Sequence, residues 1–345
     1  MAGSLAITAP AVWGGPGQIL RNATVVAEGG EITYVGPAAG APEAEEDVFV
    51  DGFLMPAAAD RHVHIELSDP AAVLLGGVTA VRDLAWPPDV VFPLADASEL
   101  PTFNGPLIRA VGPMLTAPGG YPTADRWAPP GTGRVVRGPD DAAIVVGELA
   151  DRGATAIKVS LNAEAGPTPS DGELAAICGA AADVGIPVTA HAQGKGQAER
   201  ALGAGVDELA HTPWSERLSP QVIEAMARSM RIVSTLDILS RGRDTPEVRT
   251  ALDNLRRFHE AGGTVIYGTD LGNGPIPPGI HVREALLMRE AGMTNEGVLE
   301  AMVRGPLQPG APADLIALAQ DPLEELGALE DLRLVVRAGR VVLAR

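Results

Sequence analysis

Residues 55–66 read MPAAADRHVHIE. Along a β-strand, residues i and i+2 point to the same face, so His62 and His64 present two imidazoles in one direction. Imidazole is the commonest metal ligand, and two of them fixed on one rigid strand form half of a chelate. Asp60 extends the pattern to Asp-x-His-x-His. The expectation for Asp60 is that it orients the strand or a ligand, and does not bind metal itself.

Outward from that stretch, the texture from 53 to 307 alternates between apolar strands and helices. Strand candidates recur at FLMPAAADRHVHI, VTAVRDL, PLIRAVG, TAIKVS, IPVTAHA, VDELAH, RIVSTL and TVIYGTD, with helical segments between most of them. Eight strands with intervening helices predict a (β/α)8 TIM barrel, an α/β fold. Gly153, Gly185, Gly205 and Gly262 close helices as left-handed C-caps, and Ser170 and Ser219 open two others as N-caps. Thr116 to Gly138 is a long loop, of the kind that carries substrate contacts in such barrels.

The two ends of the chain have another character. Residues 3–50 break into short strands separated by Gly and Pro, and ADLIAL, RLVVRAG and RVVLAR repeat that pattern at the other end. The expectation is a small β-sandwich domain formed by both termini, residues 1–52 and 308–345, around a barrel of residues 53–307.

Composition narrows the function classes. The net charge is −18 with no basic cluster, which argues against nucleic acid or an anionic membrane surface as partner. No apolar run reaches the roughly 18 residues of a membrane helix, and MAGSLAITAP lacks the form of a signal peptide. A cytoplasmic location is expected. Cys178 is the only cysteine, so no intrachain disulfide forms, and it reads as a small core residue. Lys158 and Lys195 are the only lysines in a chain that otherwise uses arginine.

In a TIM barrel the active site gathers at the C-terminal ends of the strands. There stand His62 and His64 on the first strand, Lys158 on the fourth, His191 on the fifth, His211 on the sixth and Asp270 on the eighth. Four of the six histidines thus fall at one end of the barrel. His259 reads as a helix C-terminal-turn residue and Lys195 as a solvated loop residue. Asp83 and Tyr121 are candidates for lining the substrate pocket.

The stretches ADRHVHIE, AIKVSL, VTAHAQG, ELAHTP and IYGTDLG resemble the amidohydrolase superfamily of metal-dependent hydrolases, in its binuclear, lysine-carbamate form. GVTAVRDL, GPMLTAPGGY and GATAIKVSL resemble its imidazolonepropionase-like and prolidase-like branch. The resemblance implies two divalent metal ions per chain, zinc first, with Mn, Fe or Ni as alternatives. It implies that His62, His64 and Asp270 hold the more buried ion and His191 and His211 the more exposed one. Lys158, carboxylated on its amine to a carbamate, bridges them. A metal-bridging hydroxide attacks, and Asp270 shuttles its proton. The activity implied is hydrolysis of a C–N bond in an amide, peptide or cyclic amide. Lactone or phosphoester hydrolysis and a mononuclear deaminase of the same superfamily are the alternatives. The partner expected is a small-molecule or peptide substrate, and a homo-oligomer is compatible with the sequence.

The chemistry asks for these residue types on its own account. Divalent cations bring water toward neutrality in pKa and polarise a carbonyl. A cationic lysine is a poor bridge between cations, whereas a carbamate offers two oxygens and a negative charge.

Overall fold

The computed structural model describes residues 3–100 and 102–345. Among them, the first barrel strand is Ala58–Val63, followed by Val78–Asp83 and by Leu107–Ala110, which resumes as Met114–Thr116. Ile157–Asn162, Val188–Gln193, Glu208–Leu209, Arg231–Val233 and Thr264–Ile266 complete the series, each parallel to its neighbour. The third strand is split at Gly112–Pro113, because Pro113 has no N–H to give a ladder. Its first half pairs with the second strand and its second half with the fourth.

Backbone bonds join the last strand to the first: Arg61 donates to Tyr267 O (3.1 Å), Asp270 to His62 O (2.8 Å) and His64 to Leu271 O (2.7 Å). Gly268 allows this approach, since a Cβ there would lie 2.4 Å from Val233 Cγ1 and 3.1 Å from His62 Cβ.

The run FLMPAAADRHVHI is two strands, not one. Phe53–Pro56 belongs to a different sheet, four residues past the boundary expected at 52, and the barrel strand starts at Ala58. Pro56 has no N–H to extend the ladder, and the chain turns there. That other sheet runs in the order Arg340–Ala344, Leu332–Arg337, Leu315–Leu318, Phe53–Pro56, Leu5–Gly15, Gln18–Glu28 and Glu31–Pro37, with Glu46–Phe49 beside the start of Leu5–Gly15. Both ends of the chain therefore share one sheet. Its two flanks meet, as Ile32 donates to Ala311 O and Ala313 to Gly30 O. Ile7, Val25, Leu54, Leu315 and Val336 fill a core of its own.

The barrel core is built from Ala, Val, Leu and Ile between strands and helices. Ser170 caps Asp171–Asp183 in a capping box with Glu173, and Ser219 caps Pro220–Ser229. Gly153, Gly185, Gly205 and Gly262 follow their helices with φ between +72° and +89°. Cys178 packs half-buried against the core, and His259 lies in the last turn of Pro246–Glu260. Among the described residues no helix is long and apolar enough to cross a membrane.

Candidate metal centre

The strand ends bring His62, His64, Lys158, His191, His211 and Asp270 into one region, none of them more than 8 % exposed. Asp60 fixes the first strand against the last. Its Oδ1 accepts the N–H groups of His62 (3.0 Å) and Thr269 (3.1 Å), and Thr269 Oγ1 donates to Oδ2. Through these bonds Asp60 holds the strand that carries His62 and His64.

Each histidine has one nitrogen occupied by the scaffold, which sets its tautomer and direction. His62 Nδ1 donates to the Ala210 carbonyl at 2.7 Å and His64 Nδ1 to that of Ala85 at 3.2 Å, because a carbonyl oxygen only accepts. The free Nε2 atoms lie 3.3 and 3.4 Å from the same oxygen, Asp270 Oδ1. His211 Nδ1 meets Thr235 Oγ1 at 2.9 Å, and its Nε2 faces His191 Nδ1 at 3.0 Å. Ligand atoms of His62, His211 and Asp270 all lie within 4.8 Å of one another.

Asp270 (φ +60°) and Thr235 (φ +38°) are both in the left-handed region, which costs a residue with a Cβ of order 1 kcal/mol. The surrounding bonds hold that strain at the residues facing the histidines. Asn273 Nδ2, for one, donates to Asp270 Oδ1 at 2.9 Å.

Lys158 is fully buried in the barrel interior, and its Nζ has no hydrogen-bond partner among the described residues. Burial pushes its ammonium down to about 7, against the pull of Asp270. Burial, then the neighbouring Lys158 charge, pushes His191 down to about 4, and burial holds His62 and His211 well below the usual imidazole range. Those three rings are thereby held in the neutral form that binds metal. A buried amine without a partner beside four imidazoles and a carboxylate is incomplete as a protein interior. The donor set suits divalent ions of borderline softness, provided the lysine acquires oxygen ligands.

Aromatic rings cover the centre. Tyr121 stacks on His191 with centroids 5.3 Å apart, Trp127 lies 4.9 Å from His64, and Trp214 stands edge-on to His211 at 5.5 Å. Tyr121 and Trp127 come from the long loop after the third strand, which a short strand, Gly133–Val135, closes. In a chain so poor in aromatics, their concentration in strand-end loops was a signal, and the sequence reading used it only for Tyr121.

Asp83 does not line an open pocket. It is fully buried, and its oxygens accept the N–H groups of Ile65 (2.9 Å) and Ala85 (3.2 Å), which flank His64 and the carbonyl that holds it. Burial and the Asp83 charge push the adjacent Glu66 carboxyl up to about 9. Lys195 is exposed in its loop. His281 Nε2 lies 2.7 Å from Asp237 Oδ2. Asp237 opens the short helix after the seventh strand, and the fully buried Glu284 takes the N–H groups of Leu236 and Asp237, both at 2.8 Å. Sequence reading missed Glu284, which has no local motif to mark it.

A family profile described as the amidohydrolase family matches residues 53–342. No curated protein matches the chain in sequence. Solved structures with the same fold include a Xaa-Pro dipeptidase with methionine bound in its active site. It is 22% identical with a TM-score of 0.83, and the match covers 98% of this chain and 99% of that one. Ochratoxinase of A. niger is 22% identical at TM-score 0.84, covering 99% and 96%. A prolidase complexed with N-methylphosphonate-L-proline is 24% identical at TM-score 0.80, covering 99% and 100%.

Proposed function

The chain belongs to the amidohydrolase family and is an enzyme, and we propose that it hydrolyses the carbon–nitrogen bond of a small amide, peptide or cyclic amide at a centre for two divalent ions. One observation carries this reading: four imidazoles and Asp270 converge around a buried Lys158 amine that has no hydrogen-bond partner among the described residues. His62, His64 and Asp270 would hold one ion, His191 and His211 the other, and a carboxylated Lys158 both. Zinc suits a histidine-rich set of this kind. Bound ions of this type lower the pKa of water and polarise a carbonyl.

The protein's own groups do the rest. Asp270 takes the proton of the attacking water and returns it to the departing amine. Its carboxylate is aimed by the left-handed backbone at residue 270 and steadied by Asn273. Tyr121, Trp127 and Trp214 exclude bulk water and offer flat apolar surface to the substrate. An acyl or amine part with an aromatic or bulky apolar group fits that surface best.

Elemental analysis of the isolated protein, with a screen of N-acyl amino acids, dipeptides and cyclic amides, tests the proposal. About two ions per chain and amide hydrolysis that follows metal loading are expected. One ion per chain with deamination instead would sink it.

A further inference from the structure

Arginines gather at the opposite end of the barrel, where the strands begin. Arg61, Arg82, Arg109 and Arg304 line a cavity of about 360 Å³. Arg61 also borders the next cavity, together with Arg231 at the start of the seventh strand. In a chain with 44 acidic residues against 26 lysines and arginines, five guanidinium groups in one place are not a product of composition.

Four of the five have carboxylate partners. Glu208, buried, pairs with Arg82 and lies 3.7 Å from Arg231. Asp314 lies 3.5 Å from Arg304, and Glu99 pairs with Arg109. Arg61 has no ion pair among the described residues, and its guanidinium makes one hydrogen bond, from Nη2 to the Val303 carbonyl at 3.3 Å. Its backbone is pinned in the first strand, and the Arg61 carbonyl accepts from Arg82 Nε at 3.1 Å. Arg61 is left half-buried at a lined cavity without an ion-pair partner among the described residues. Such an arrangement is unfavourable unless an anion completes it.

We propose that this end of the barrel binds a phosphate-type oxyanion, either free phosphate or the phosphate group of a small ester. Arg61 is the cation that the anion neutralises, and Arg109 is a contact at the rim. The planar forks of several arginines suit an anion with three or four oxygens. The cavity admits an anion of this size with a small organic tail. Such a ligand would sit apart from the histidine end and would not compete with an amide substrate.

Isothermal titration of the metal-loaded full-length chain at fixed ionic strength tests this, with inorganic phosphate in one arm and glycerol 3-phosphate in the other. Phosphate also ligates metal ions, so the reading is the difference between wild type and Arg61→Met. The wild type is expected to bind one equivalent more than Arg61→Met. Arg109→Gln, a change at an exposed position, is expected to bind about tenfold more weakly, the loss of about one charge-assisted hydrogen bond. Tighter binding of the ester identifies an esterified ligand, and equal or weaker binding identifies free phosphate. Identical stoichiometry in wild type and Arg61→Met, or no binding of either ligand by the wild type at millimolar concentration, overturns the proposal. If Arg61→Met does not fold, unaltered affinity in Arg109→Gln overturns it. None of these readings depends on turnover of the amide substrate.

Discussion

Replacing Lys158 by arginine keeps a long cationic side chain but removes the amine that can be carboxylated, and it leaves a permanent charge among the histidines. Metal content by elemental analysis and hydrolytic activity are expected to fall together in Lys158→Arg. Retention of both ions with near-normal turnover would require another set of ligands. Asp270→Asn separates the two properties: its amide oxygen still ligates, but the side chain no longer takes up a proton. Metal content is expected to persist while kcat falls by about 10² or more. At this scale the sequence was informative wherever a side chain's neighbours along the chain determine its direction. His62 and His64 share a face through strand alternation, and the strand-end positions of His191, His211 and Asp270 followed from the barrel. Thr235, which holds His211, and Asp83, which holds the N–H groups of Ile65 and Ala85 beside His64, were not read that way. Their roles come from contacts across strands, and neither residue type announces them.

The loop after the seventh strand depends on an element distant in sequence. Thr235 touches His211, and the next two N–H groups are capped by Glu284 from the helix Val282–Glu290. Asp237 then receives His281 and Arg283 from that helix and Ser240 from its own turn. Burial alone would push the Asp237 carboxyl up, but the bonds from His281, Ser240 and Arg283 outweigh it and hold it well below the usual carboxylate range. A carboxyl depressed in the folded state contributes stability above its unfolded pKa, near 4, and loses it as the pH falls through its folded pKa. Asp237→Asn is therefore expected to flatten the acid limb of the melting-temperature profile below about pH 4. At pH 7 it should cost about 1–3 kcal/mol, because it disrupts a buried hydrogen-bond cluster. An acid limb as steep as that of the wild type would show that the titrating group lies elsewhere. Nothing in residues 234–241 or 281–284 taken alone foretells their contact. Neither the short helix Asp237–Ser240 nor Val282–Glu290 was legible as a helix in the sequence, and periodicity says nothing of their pairing. The same limit explains why Phe53–Pro56 was read as part of the first barrel strand, since an apolar run does not reveal which sheet it joins.

On the scale of the whole molecule, the alternation of strands and helices over two hundred residues was enough to read the barrel, and matching β texture at both ends was enough to group them. The strand order of the shared sheet was not legible, because every pairing between the two ends spans the barrel in sequence. Bound ions stabilise only the folded chain, so chelation is expected to lower the melting temperature by about 5 °C or more, with recovery on adding metal back. Unchanged melting together with no metal on analysis would remove the centre from the account.

The central place of Phe53–Pro56 in that sheet has a consequence for biosynthesis. One neighbour, Leu5–Gly15, is made before it, but the other, Leu315–Leu318, emerges only after the entire barrel. At ribosomal speeds of about 5–20 residues per second, the edge of Phe53–Pro56 waits for tens of seconds without its partner. An unpaired, apolar strand edge is a template for pairing with another chain. During translation that edge therefore stays open until the barrel has been made, and a chain released by a ribosome stalled late in the message would still expose what the finished fold buries.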